Sequence, residues 1–247
     1  MRGEAGHPVR LRFAKEGKVR FVSHRDVARA FERALRVAGL PVAFTAGFAP
    51  RPKVSFGLAL GVGHESRAEY LDVELREPAG PAELPGLLTA GLPPGLAVTG
   101  AAALAPRAPA LQESVTAVAY TLRLADVDAA AIVDAAAAAG DATTLVVASA
   151  RKGRPVTVDV APSLRSLTVD ADGVDVELST RPRAARPAEV LTALRTLLGT
   201  EPGEGEDRVL RTHQWIERDG ARREPLAADL APSAPSGADA RALEACA

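Results

Sequence analysis

Residues 23–39 specify a helix more firmly than any other part of the chain, and what that helix must pack against limits the folds available. Val27, Ala30, Phe31, Ala34, Leu35 and Ala38 recur at intervals of three and one, which sets them on a single helical stripe. Ser23, followed three residues later by Asp26, forms a capping box with Asp in place of the usual Glu or Gln. Gly39 is placed to close the helix in a left-handed turn, with Pro41 just beyond it. A one-sided helix needs an apolar surface to cover, and strand patterns flank this one. Residues 9–13 alternate Val, Leu and Phe with Arg, and strands are expected at 41–45, 54–60, 68–75 and 96–104, with a short helix at 81–90. That order is the split βαβ plan of a ferredoxin-like domain over residues 8–105.

After an Ala/Pro linker at 105–110, the plan repeats over 113–220. Strands are expected at 115–124, 144–150, 156–160, 167–170, 174–178 and 209–216, with helices at 128–139 and 187–198. Ala171-Asp172-Gly173 joins two of those strands as a hairpin. The expected class is therefore α+β, two tandem ferredoxin-like (βαββαβ) domains, on element order alone. Residues 221–247, rich in Ala, Pro and Ser, read as a disordered tail.

Charge is unevenly spread. The whole chain carries a net −1, which makes no global case for nucleic acid or an anionic membrane. From residue 8 to residue 67, however, nine Arg and three Lys face only Glu16, Asp26, Glu32 and Glu65, an excess of eight positive charges. The remainder must then carry about nine negative ones, an asymmetry that points to an anionic partner. Arg25, Arg29 and Arg33 follow at four-residue spacing, so they form one ridge on the helix, with Arg36 alongside. Such a ridge is either a solvated face or a phosphate-binding one, and the local excess favours the second. The loop Gly47-Phe48-Ala49-Pro50-Arg51-Pro52-Lys53 is stiffened by two prolines and offers Phe48, Arg51 and Lys53. It is either a platform for stacking a base and gripping phosphates or a rigid connector whose Phe caps the core.

The sequence excludes several chemistries. A single cysteine, Cys246, allows no disulfide within the chain and no cysteine-held iron–sulfur or zinc site, and it fits a reducing cytosol. His7, His24, His64 and His213 lack metal-ligand spacing, so no metal and no cofactor are expected. Gly61-Val62-Gly63-His64-Glu65-Ser66 follows a strand without opening a helix, so it is discounted as a dinucleotide fingerprint. Glu65, Glu69, Asp72 and Glu74 lie on or near an alternating strand, where a solvated face explains them. With no apolar leader and no run of ~18 apolar residues, a soluble cytoplasmic protein is expected, without membrane contact.

The stretch SHRDVARAFERALRVAGLP, followed by GFAPRPKVSFGLALGVGHES and AEYLDVEL, resembles the radical-SAM-linked proteins. These form a bacterial family of unknown function, found fused to or encoded beside B12-binding radical SAM enzymes. The resemblance covers residues 10–75 most closely and implies a partner or substrate-handling module. The three-cysteine cluster motif is missing, so radical chemistry would belong to the partner. The expected architecture is also similar to that of the repeat-associated RNA-processing proteins of CRISPR systems, which implies that a basic face here meets RNA, a warrant of fold-level analogy only.

His24 is the one candidate for catalysis. At the start of the helix the dipole disfavours the imidazolium, leaving a ring able to accept a proton. With Arg25 and Lys53 holding a phosphate, His24 could activate a 2′-hydroxyl for metal-independent RNA cleavage; alternatively it helps cap the helix or contacts the Arg51 loop. His64 is read as a turn residue. Three functions follow, in order: a non-catalytic RNA-binding module serving a radical SAM enzyme that modifies tRNA or rRNA, an endoribonuclease using His24, and a protein-interaction module for an acidic partner. In the first, Arg25, Arg29, Arg33, Arg36, Phe48, Arg51 and Lys53 contact RNA, and a groove between the halves, lined by Arg151, Lys152 and Arg154, extends the surface.

Overall fold

A computed structural model describes residues 6–151, 153–200 and 207–230. The first half runs β1 (His7–Lys15), α1 (His24–Val37), β2 (Val54–Phe56), β3 (Glu65–Leu75), α2 (Leu84–Thr89) and β4 (Leu96–Ala103). After the short α3 (Leu111–Ser114) come β5 (Ala117–Arg123), α4 (Ala129–Asp141), β6 (Val146–Arg151) and β7 (Arg154–Asp159). The chain then continues through β8 (Leu164–Asp170), β9 (Gly173–Ser179), α5 (Pro187–Leu197), β10 (Arg208–Arg218) and β11 (Ala221–Arg223). The protein is α+β, with its helices on a large, mostly antiparallel sheet.

Seven strands of that sheet follow the order β4-β1-β3-β10-β5-β9-β8; β2 adds to β3, β11 adds to β10, and β6–β7 form a separate hairpin. In the first half β1 lies between β3 and β4, and β2 takes the other edge of β3, all antiparallel. In the second half β5 lies between β10 and β9, and β8 flanks β9, again antiparallel. A short parallel pairing joins the halves, with Leu210 opposite Glu65 and Arg211 opposite Ser66. Gly173, at φ 142°, turns the β8–β9 hairpin where a Cβ would lie 2.4 Å from the Leu122 carbonyl oxygen, so only glycine fits that turn without displacing the backbone.

Each half buries its own apolar cluster. Phe13, Val27, Phe31, Leu35, Leu71 and Leu88 pack between α1, α2 and the sheet, while Leu122, Ala139, Val176, Leu178, Val190 and Leu194 do the same under α4 and α5. Phe31 meets Phe13 at 4.7 Å and Phe56 at 6.1 Å between ring centroids. On the opposite face of the first half, Ala68, Tyr70 and Leu111 form a small cluster closed by Leu226. Arg10, fully buried, donates from that region to Asp72 at 2.7 and 2.9 Å and to the Pro225 carbonyl.

Several boundaries differ from the sequence expectations for physical reasons. Residues 41–45 form no strand, only bridges from Val42 to Leu75 and Phe44 to Pro52, because Pro41 and Pro52 cannot donate to a ladder. The strand expected at 54–60 stops at Phe56. Beyond Tyr70, whose carbonyl accepts from Gly57, the edge of β3 is taken by β10. The expected tail does not begin at 221: β11 pairs with β10, and Pro225–Ala227 makes a 3-10 turn covering the sheet. The rest of that tail, 231–247, lies outside the described residues. No helix among the described residues is long and apolar enough to cross a membrane.

Candidate functional site

The α1 helix is built as its sequence specifies. The Ser23 hydroxyl accepts from the Asp26 amide and donates to the Asp26 carboxylate at 2.7 Å. That bond, joined by Arg29, holds the Asp26 carboxyl below its usual range. Loss of one cap costs about 1 kcal/mol, so Ser23→Ala should lower the melting temperature by about 2–4 °C. A calorimetric scan showing no shift would mean that the cap contributes nothing.

With Val27, Phe31, Ala34 and Leu35 buried, Arg25, Arg29, Arg33 and Arg36 stand exposed on the outer face. Arg29 is bridged to Asp26 at 3.1 Å. Among the described residues Arg25, Arg33, Arg36 and Arg51 have no carboxylate within ion-pair distance. The loop at 44–53 is pinned at its base, where Thr45 donates to the Arg51 carbonyl and Arg51 returns a bond to the Thr45 hydroxyl. Phe44 and Phe48 project from it into solvent, so Phe48 does not cap the core. Lys53 is engaged by Glu74 at 2.9 Å.

His24 opens α1, and the loop follows the far end of the helix before β2 returns toward its start. His24 is exposed and packs edge-on against Phe56 at 5.0 Å. Lys53 has its ion pair with Glu74 and no hydrogen bond to His24. Arg151 is paired with Glu189 at 2.8 Å and Arg154 is exposed; neither lines the cleft bordered by Arg211 and His64, and Lys152 lies outside the described residues. The carboxylates read as a solvated face are all paired: Glu65 with Arg208, Glu69 with Arg211, Asp72 with Arg10 and Glu74 with Lys53.

A second constellation, not legible in the sequence, sits where the halves meet. Arg211 on β10 is 3% exposed and reaches across to Glu69 on β3 at 2.7 Å. It also donates to the carbonyls of Leu58 and Ala59 and to the Tyr120 hydroxyl. Lys15, 4% exposed, donates to the carbonyls of Arg20 and Val22; burial draws its pKa down, and Glu69 opposes that. The His64 ring lies over Gly61, where a Cβ would come within 2.9 Å of the imidazole. Burial, reinforced by Arg211 and Lys15, pulls the His64 pKa down to about 4, so the ring is neutral at pH 7. His64 is thus more than a turn residue. It borders a cleft of about 660 Å³ walled by the 58–61 segment, β5 and the chain entering α5.

A model of a family described as an uncharacterised protein conserved in bacteria (DUF2344) matches residues 9–197. The chain belongs to that family. The matched segment includes α1, the 44–53 loop, His64 and Glu69, while Arg211 lies beyond it. No curated protein matches the chain. A solved structure similar to it, described as an unknown protein from Galdieria sulphuraria, shares 16% identity over 82% of this chain and 95% of that one, with a TM-score of 0.26. That likeness is too distant to bear on fold or function.

Two kinds of chemistry are open to these sites. The α1 face offers cations with no internal counter-charge, suited to a polyanion. The junction holds buried cations beside a walled cleft. No group of three or more His, Cys, Asp or Glu suited to a metal ion occurs among the described residues.

Proposed function

We propose that this chain is a non-catalytic RNA-binding module, working with a radical SAM enzyme that modifies tRNA or rRNA. The observation that carries the RNA reading is the set of arginines at 25, 33, 36 and 51, exposed and without carboxylate partners among the described residues. An arginine left unpaired on the surface keeps its forked donors available for phosphate oxygens. Phe44 and Phe48, exposed on the adjoining loop, add aromatic faces on which unpaired bases can stack. The partnership with a radical SAM enzyme rests on the resemblance of residues 10–75 alone. We further read the two halves as tandem ferredoxin-like repeats. Support comes from the strand orders β4-β1-β3-β2 and β10-β5-β9-β8, in which the β6–β7 hairpin is an insertion.

The test is binding of the purified chain to bulk tRNA and rRNA fragments across a salt series. Affinity should fall linearly on logarithmic axes, with a slope of roughly 0.7–0.9 per phosphate contact. Reversing charge at Arg25, Arg33 and Arg36 should weaken binding at least about tenfold and flatten that slope by roughly two to three contacts. RNA recovered intact agrees with this reading. RNA cut by wild type and spared by His24→Ala would replace it with the endoribonuclease. No binding even at low salt would overturn it in favour of an acidic protein partner.

A further inference from the structure

The junction cleft has a charge composition that calls for a ligand. Two buried cations, Lys15 and Arg211, share one buried carboxylate, Glu69. The cleft that Arg211 and His64 border also carries Arg181 and Arg186, and no Asp or Glu lines it. Arg181 and Arg186, both exposed, donate to the carbonyls of Glu113 and Ala150, and Arg186 also feels the charge of Glu189, whose carboxylate accepts from its amide. Of the five buried side-chain polar atoms without partners among the described residues, two belong to the cleft lining, Nε of Arg211 and Nδ1 of His64. Unsatisfied buried polar atoms are costly unless something meets them. Leu58, Leu60, Val118, Leu178, Ala185 and Pro187 supply an apolar part of the wall, beside the polar side chains of Gln112, Ser179 and Thr180.

We propose that this cleft binds a small organic anion, a carboxylate or phosphate group carried on an apolar body. The arginines and His64 recognise the oxyanion, and the aliphatic wall covers the body. A volume of about 660 Å³ lies within the range of small-molecule sites. Absence of acidic side chains from the lining discriminates against amines and metal cations. The site is separate from the RNA reading, because no residue of α1 or of the 44–53 loop lines the cleft.

The test is an NMR titration of the full chain, labelled to observe the Arg211 Nε–H and the His64 ring. The probes are benzoate and phenyl phosphate, with benzyl alcohol and benzylammonium as the neutral and cationic counterparts. Saturable shifts at both residues are expected from at least one anion, and which anion binds more tightly distinguishes carboxylate from phosphate recognition. Ala188, exposed on the first turn of α5 and lining the cleft, provides a variant that should leave folding intact. Ala188→Trp should fill the cleft and weaken the anion at least tenfold at an unchanged melting temperature. The variant with charge reversed at Arg25, Arg33 and Arg36 should bind the anion as wild type does. The proposal is overturned if neither anion gives a saturable shift, or if benzylammonium or benzyl alcohol binds as tightly. Undiminished binding by Ala188→Trp overturns it as well.

Discussion

Arg211→Met is expected to destabilise the protein by about 3–5 kcal/mol, since removing one partner strands the other as a buried unpaired charge. The stranded group is Glu69, 8% exposed, whose carboxylate is bonded to Arg211 at 2.7 Å. The same substitution frees the carbonyls of Leu58 and Ala59, which Arg211 ties to β10. It thereby loosens the 57–64 segment as well as the seam between the halves. That seam has little backbone to rely on, since β3 and β10 pair at only two positions. The check is urea denaturation of wild type, Arg211→Met and the double variant Arg211→Met/Glu69→Leu. The double variant should recover most of the loss, because a buried ion pair can be exchanged for apolar groups of similar size at little cost. A single variant within about 1 kcal/mol of wild type would mean that solvent reaches Glu69 after all.

Stability should also fall steeply with acid, through His64. In the folded protein burial, with Arg211 and Lys15 beside the ring, holds the His64 pKa at about 4; in the unfolded chain it returns to about 6.5. Protons therefore bind the unfolded state first between these two values, and stability is full above pH 6.5 and lost as pH falls toward 4. The shift corresponds to on the order of 3 kcal/mol over the whole window, about 2 of it between pH 7 and pH 5. Denaturant titrations at pH 7 and pH 5 measure it, and His64→Gln, which cannot titrate, should flatten the difference. Carboxylates held low, such as Asp26 and Glu217, lose their contribution only at more acidic pH and leave this window to the histidine. An equal slope in wild type and His64→Gln would show that His64 titrates normally.

The two effects share a cause. Arg211, Glu69, Lys15 and His64 are charged or polar groups placed where the sheet of one half meets the strand that closes the other. Fold stability and the proposed anion site therefore draw on the same residues, which is why Ala188→Trp separates binding from stability better than any change at Arg211 or His64.

Local features were legible in the sequence because short-range physics fixes them. The stripe from Val27 to Ala38, the Ser23–Asp26 cap and Gly39 dictate α1, and they leave its arginines facing outward. Likewise Asp128 caps α4, and the Ala171-Asp172-Gly173 turn makes the hairpin it encodes. Tertiary structure decided what lies against each strand. Alternation along β3 sets which residues share a face, and Glu69 reads as solvated unless something covers that face. The cover is Arg211, 142 positions later in the chain; the other face, with Ala68 and Tyr70, is closed by Leu226 from a segment whose composition reads as disordered. Strand order and register arise from pairings between residues far apart in sequence, and a period-2 pattern carries no record of which strand is the neighbour. The helix and its basic ridge were thus set by the sequence locally, whereas the buried charge cluster and its cleft exist only because folding brings β10 against β3.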